Sequence, residues 1–459
     1  YLASGGIALG IAASVLKGGD IEEATLLSLL LIVLWRAHPA FDRKAALFDT
    51  PFSGGWLAAV GGALFASIWL GLFAFQHVEY SDQLWWQFEL RGEASRFLRA
   101  SVGAAALTLL VGLGRLIRHA PHEADEPSDA DLEAAATIVR AQRETAPNLV
   151  FLRDKALLFD ESRTGFLMYG VQGRTWVALG DPVCPAARTA ELIKLFLERC
   201  DDFGGTPVFY EVRKDRLHHY ADFGLTFVKL GEEAIVDLEA FKLEGPRGAR
   251  FRQNIKRLEK DGGTFRVVAA TDVPALLPEL RRVSDDWLES RSAAEKGFSL
   301  GFFDEAYIQR FPVAVVESAH EPGRVWAFAN LWQGGTGEDL SIDLMRFHRD
   351  GPKGVMEALI SHVLVWGKAA GYRRFALGMA PMSGFETSPV APLWARMGTF
   401  LYQHADRFYN FQGLRAYKEK FNPSWEPHYL AYPGGLKLPL VLADISALIA
   451  GGYRRIFLK

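Results

Sequence analysis

Apolar and polar positions divide the chain into two unlike parts. The first 118 residues hold four apolar stretches, at 2–16, 24–35, 56–75 and 98–117. The third and fourth reach the roughly 20 residues that a helix needs to cross a bilayer; the first two are shorter. Glycines recur within them (Gly5, Gly6, Gly10, Gly61, Gly62, Gly103, Gly112, Gly114), as in membrane helices that pack closely. Arg36, Arg43 and Lys44 follow the second stretch and Arg115 and Arg118 leave the fourth, whereas Asp20, Glu22 and Glu23 outweigh Lys17 after the first. The positive-inside rule puts these basic connections, and the half that follows, on the cytoplasmic side. Trp85, Trp86 and Phe88 read as an interfacial segment at the outer face. The sequence begins with Tyr1 inside an apolar run, which suggests a piece of a longer membrane protein.

After an acidic, proline-containing linker at 119–130, the pattern changes to alternating strands and amphipathic helices. One order occurs twice. Strands at 165–171 and 175–179 lead through a Gly180-Asp181-Pro182 turn into a helix at 187–203, a Gly-Gly break and a strand at 207–212. Strands at 324–332 and 339–345 lead through a Gly/Pro loop into a helix at 355–370, Gly371 and a strand at 373–377. This order resembles the acetyltransferase-like (GNAT) fold. The expected architecture is a membrane α-helical N-terminal part (1–118) plus an α/β soluble domain with tandem GNAT-like lobes at 131–245 and 264–433. A basic helix at 246–263 joins the lobes. In the tail at 434–459, apolar residues (Leu436, Leu438, Leu440, Val441, Leu442) and a basic end (Arg454, Arg455, Lys459) suit either a membrane surface or the core.

The net charge of −3 gives no global field, so any polyanionic partner must meet a local patch. The connecting helix supplies one. Phe251, Ile255 and Leu258 form its apolar stripe, while Arg250, Arg252, Lys256, Arg257 and Lys260 face only Glu259 in return. That surface suits a nucleic-acid backbone or anionic lipid heads, and a solvated helix face is the plainer alternative. The two cysteines, Cys184 and Cys200, have no metal spacing and read as reduced and structural.

Candidate chemistry concentrates at 339–354, DLSIDLMRFHRDGPKG. Leu340, Ile342 and Leu344 alternate with Ser341, Asp343 and Met345, and the strand runs into a loop that opens a helix. Backbone N–H groups at such a helix start suit an anionic or carbonyl oxygen. Asp343 is a candidate to hold an amino group or help take a hydroxyl proton, unless it simply pairs with Arg346. Arg346 suits phosphate, His348 is a candidate general base, and Lys353 a phosphate contact. The run Arg349–Asp350–Gly351–Pro352–Lys353–Gly354 departs from the coenzyme-A loop pattern Q/R-x-x-G-x-G/A in glycine spacing and by its proline. Glu295 and Lys296 precede a Gly-Phe-Ser-Leu-Gly loop, and Glu386 follows a Ser-Gly pair; these are candidates to line an aminoacyl or lipid channel. Lys418 and Lys420 face alike if their segment is extended and differently if it is helical.

Five long segments together carry a family resemblance: RFRQNIKRLEKDG (250–262), EKGFSLGFFDEAY (295–307), SIDLMRFHRDGPKGVMEAL (341–359), LGMAPMSG (377–384) and GLRAYKEKFNPSWEPHYLAYP (413–433). They resemble the C-terminal synthase part of the bacterial multiple peptide resistance factor family, the phosphatidylglycerol lysyltransferases. Looser matches lie at 41–53 and 77–88. The resemblance implies transfer of an aminoacyl group, usually lysyl and sometimes alanyl, from aminoacyl-tRNA to a glycerol hydroxyl of phosphatidylglycerol. It implies a bacterial cell membrane location, resistance to cationic antimicrobial peptides, and function for Asp343, Arg346, Lys418 and Lys420. The donor ester is already activated, so no metal or cofactor beyond aminoacyl-tRNA as co-substrate is expected. A homo-oligomer is compatible with it. A membrane-tethered acyl-coenzyme A acyltransferase and a non-catalytic anionic-lipid or RNA-binding protein are the other readings the residues leave open.

Overall fold

The computed structural model describes residues 21–37, 62, 125–291, 294–384 and 411–453. The apolar stretches at 2–16, 56–75 (Gly62 apart) and 98–117, and the candidate Glu386, lie outside them. The second stretch forms helix α1 (Ile21–Ala37) of 17 residues, and among the described residues no helix is long and apolar enough to cross a membrane.

Helix α2 (Asp129–Val139) starts at a capping box in which Ser128 and Asp131 satisfy each other's backbone N–H groups. The first repeat then runs β1 (Ala156–Phe159), β2 (Phe166–Gln172), β3 (Thr175–Val183), α3 (Thr189–Asp202), β4 (Thr206–Arg213), α4 (Leu217–Ala221) and β5 (Thr226–Asp237). Helix α5 (Gly245–Lys260) connects to the second: β6 (Gly263–Val268), α6 (Leu277–Arg291), α7 (Glu305–Ile308), β7 (Val313–Ser318), β8 (Val325–Gln333), β9 (Asp339–Phe347), α8 (Val355–Ala369), β10 (Arg374–Pro381), α9 (Phe411–Glu419) and β11 (Ser424–Tyr432). Helix α10 (Leu438–Ala450) follows. The duplicated order expected from the sequence is present. The Gly180-Asp181-Pro182 turn is not: these residues stay inside β3. The pairing of β2 with β3 shifts between Met168↔Leu179 and Phe166↔Val183, and Gly180 takes φ +71. A glycine tolerates that backbone, and Asp181 is fixed by accepting the Arg213 N–H at 3.2 Å.

The eleven strands of the described residues form one sheet, ordered β1-β2-β3-β4-β11-β5-β10-β9-β8-β7-β6. Only β3–β4 and β9–β10 pair in parallel, each across its crossover helix, α3 or α8. The last strand, β11, lies between β4 and β5 of the first repeat, so the two repeats share their central strands. Burial follows the period of each element. Helix α3 buries Leu192, Ile193, Phe196 and Cys200 against the first repeat. On β7, Val313 and Val315 enter a core with α6 and α10, while Ala314 and Val316 enter another, on the opposite face, with α5 and α8.

The alternation expected along β9 breaks at one point. Pairing with β8 shifts between Ala329↔Met345 and Leu331↔Ile342, so Asp343 and Leu344 together oppose Asn330. Leu340 and Ile342 face one core with Met345 and Phe347, while Leu344 turns to the other. The Asn330 side-chain oxygen accepts the Leu344 N–H at 2.8 Å, replacing the interrupted ladder bond. Asn330→Ala is therefore expected to orphan a buried N–H and cost about 1–3 kcal/mol of stability, measurable by urea unfolding.

Candidate functional site

The β9–β10 pairing ends at Ala376↔Ser341, and beyond it the two strands part. The first residue group at this parting belongs to Asp343. Its Oδ1 accepts the Gly301 N–H at 3.0 Å and its Oδ2 the Tyr307 hydroxyl at 2.6 Å. Tyr307 in turn accepts the Trp332 indole N–H at 2.9 Å. The buried Asn330 amide nitrogen makes no close hydrogen bond but lies near enough to Asp343 and Tyr307 to help hold the carboxylate charged. Burial pushes the Asp343 carboxyl up to about 6, against the stabilising Tyr307 and Gly301 hydrogen bonds and the charge of Lys155.

Lys155 enters from the first repeat. It is buried, pairs with Asp154, and is pushed down by burial while the charges of Asp154 and Asp343 pull it back up. Asp154 also accepts the Phe298 N–H at 2.7 Å. The loop at 295–304 thereby touches both repeats. Its Glu295 holds Arg346 at 2.7 Å and accepts the Phe303 N–H at 3.2 Å. A Cβ built on Gly301 would lie 1.9 Å from Asp343 Oδ2, so only glycine lets this loop close on the carboxylate.

Asp343 and Arg346 do share one neighbourhood, but the salt bridge between them does not form. Arg346 is 3% exposed, with its guanidinium 4.3 Å over the Trp287 ring and engaged by Glu295. Its two terminal nitrogens donate to Ser284 at 3.4 Å and Glu295 at 2.7 Å, the close partners a buried cation needs. His348 turns away from Asp343: its Nδ1 accepts the Asp350 N–H at 3.2 Å and its Nε2 lies 3.7 Å from Asp286. Lys353 is exposed on the loop before α8.

Across the parting, β10 carries the second group. Lys418 lies in the last turn of α9 and Lys420 just past its end, and the two diverge. Lys418 is buried and donates to the Gly378 and Met379 carbonyls at 2.9 and 2.8 Å. Lys420 pairs with Glu357, in the first turn of α8, at 3.0 Å. Three strand irregularities meet here: a shift on β10 between Ala376 and Met379, one on β11 at His428, and Glu211 of β4 at φ +69. They gather Glu211, Glu233 and His428 near Lys418. His428 Nε2 lies 3.3 Å from Glu233. Burial works against the imidazolium, but the Glu233 hydrogen bond and charge raise it to about 9. Burial raises half-buried Glu211 to about 7 and lowers Lys418 to about 8.

On α5, Arg250, Lys256, Arg257 and Lys260 are exposed. Arg252, Gln253, Lys256, Arg257 and Lys260 line a shallow depression, and Arg252 also donates to the Leu243 and Gly245 carbonyls. Sequence reasoning missed Lys155, Tyr307, Glu211, Glu233 and His428. The adjacent Glu232–Glu233 in the middle of a strand was a usable signal, since interior strand positions rarely carry two carboxylates. Lys155 had none. Gly301→Ala is expected to displace the loop or Asp343 and cost about 1–3 kcal/mol, read from urea unfolding.

The chain matches the family model described as phosphatidylglycerol lysyltransferase, C-terminal, over residues 136–432. It is 32% identical over 450 residues to phosphatidylglycerol lysyltransferase of Bacillus subtilis, covering 96% of this chain and 51% of that protein. With the Staphylococcus aureus protein of the same name it shares 34% over 285 residues, 62% of this chain and 34% of that one. This chain thus spans about half the length of the first relative and a third of the second. Two solved structures cover 71% of this chain and 98% of their own. They are the C-terminal domain of a putative lysylphosphatidylglycerol synthetase from Agrobacterium fabrum (44% identity, TM-score 0.64) and L-PGS from Bacillus licheniformis (35%, 0.61). With the family model covering most of the chain and the parted strands in the part it matches, this chain belongs to the phosphatidylglycerol lysyltransferase, C-terminal, family.

Proposed function

We propose that this chain transfers an aminoacyl group, lysyl by the names of its relatives, from aminoacyl-tRNA to the glycerol hydroxyl of phosphatidylglycerol. The observation that carries the reading is the buried Asp343 carboxylate at the parting of β9 and β10, in a chain of this family. In the reaction, the ester bond to the tRNA ribose oxygen breaks and one to the glycerol oxygen forms. A proton moves from the glycerol hydroxyl to the ribose oxygen, so the exchange is balanced without ATP. Asp343 is suited to hold the donor's ammonium or to receive the hydroxyl proton, because near neutral pH it is ionised yet basic enough to accept. Lys418 keeps a cation at the β10 edge, where oxyanion charge would develop. Arg346 acts by pinning the loop that carries Gly301, and Lys420 by fixing the start of α8. The exposed basic side of α5 suits the tRNA backbone. The same reading puts this α/β part at the cytoplasmic face of a bacterial cell membrane.

Expression in a host rich in phosphatidylglycerol should yield a ninhydrin-positive phospholipid that Asp343→Ala abolishes; an unchanged lipid extract from the parent chain would sink the proposal. In vitro, the transfer rate should fall on the acid side around pH 6, where Asp343 takes its proton. Lys155→Met removes a nearby positive charge, so the neutral carboxyl gains and that limb should move to higher pH. A rate that drops evenly at all pH values would leave Lys155 a purely structural residue.

A further inference from the structure

Among the described residues of the α/β part, five large apolar side chains stay exposed, and all but Phe223 fall on two joined segments. Leu436 is 100% exposed, Leu440 61%, Leu300 44% and Tyr453 42%. Three of these belong to the segment at 436–453, and Leu300 sits on the loop that closes on Asp343. The two segments are joined: the Gly297 N–H donates to the Ile449 carbonyl at 3.0 Å, and Phe298 packs beside Leu448 over Gly170. Helix α10 buries Val441, Asp444, Ile445 and Ala447 against the sheet and turns Leu440 and Ala443 outward. Its one acidic residue, Asp444, is buried and bonded to Thr175 and Tyr453. Lys437 is exposed beside Leu436, and the sequence continues into Arg454 and Arg455. An apolar helix face with an exposed lysine beside it, and with its one carboxylate buried, matches an anionic bilayer surface.

We propose that the outer face of α10, with Leu436 and Leu440, docks on an anionic lipid bilayer and that the docked helix steadies the Asp343 loop through Ile449 and Leu448. Two leucines inserted at the headgroup level contribute attraction in proportion to the area they bury, and Lys437 adds its charge. The connection to the loop gives the contact a consequence. Residues 297–301 are held at one end by α10 and at the other by Asp343, so restraining α10 restrains the loop. The proposal rests on the lipid-transfer reading only for why a bilayer is the relevant surface.

Its test needs no turnover. Cys184 and Cys200 are buried, so a Leu440→Cys variant of the whole chain can be labelled with an environment-sensitive dye. In nanodiscs containing phosphatidylglycerol the emission should shift to the blue, while the same dye at Phe223→Cys, an exposed apolar position on the first repeat, stays water-like. Amides of 297–301 should also exchange more slowly than in detergent. Equal emission at both positions would overturn the proposal, and an identical shift in purely zwitterionic discs would remove its anionic component. In parallel, Leu436→Glu with Leu440→Glu should lower transfer to bilayer lipid by about tenfold or more. Transfer to water-soluble dihexanoyl phosphatidylglycerol should be retained; equal loss on both acceptors would count against docking. A dye shift without any transfer by the parent chain would reject the lipid-transfer reading and leave the docking surface standing.

Discussion

The site depends on a single buried carboxylate being gripped from two sides. Asp343 takes a backbone N–H from the loop and a hydroxyl from α7, and it feels a lysine from the other repeat. Without those donors a buried carboxylate would be fully neutral, and with a closer cation it would be an ordinary ion pair. The extra residue in β9 makes the arrangement possible. It swings Leu344 into the core with α10 and leaves Asp343 at the strand's free edge, where β10 no longer pairs. Arg346 and Glu295 then lock the loop that supplies the N–H. The loop, the strand and the lysine come from segments distant in sequence, so the carboxylate is also a joint between the repeats.

The shared sheet has a similar logic. Inserting β11 between β4 and β5 brings the C-terminal strand against the first repeat and leaves β5 to pair with β10. Strands borrowed from another repeat fit imperfectly, and the misfit appears as bulges at His428, Met379 and Glu211. Bulges release polar side chains from the ladder. Here they assemble two glutamates, a histidine and a lysine whose charges balance when Glu211 is ionised, and leave a net positive charge when it is neutral. A change of Glu211 near pH 7 therefore alters the field at the β10 edge.

Much of this was legible in the sequence, and the exceptions share a cause. The repeats, the basic helix and the 295–301 loop announce themselves by periodicity, composition or glycine content. Asp343 was visible as a carboxylate at a strand end before a glycine loop. Its partners were not, because Lys155 and Tyr307 lie 188 and 36 residues away and no local pattern marks a long-range contact. The surroundings of Arg346 are hidden for the same reason: a guanidinium at a strand end looks exposed until Trp287 and Glu295 are seen against it. The Gly-Asp-Pro segment was read as a turn because its residues favour turns, yet pairing on both sides held it in the strand.

The two candidate surfaces have a geometric relation that bears on the chemistry. Helix α5 packs on one face of the sheet, through Phe251 and Leu258, and α10 packs on the other, through Val441 and Ile445. A polyanion on α5 and a bilayer on α10 therefore approach from opposite faces and do not compete for area. A continuous sheet would separate them, since its ladder is closed to substrates. The β9–β10 pairing stops at Ala376↔Ser341, and Asp343 stands just beyond that point. In the lipid-transfer reading, donor and acceptor need only extend one flexible end each, the aminoacyl terminus and the glycerol head, to meet there. Under that reading, the two large partners stay apart while their small reactive groups converge beside Asp343.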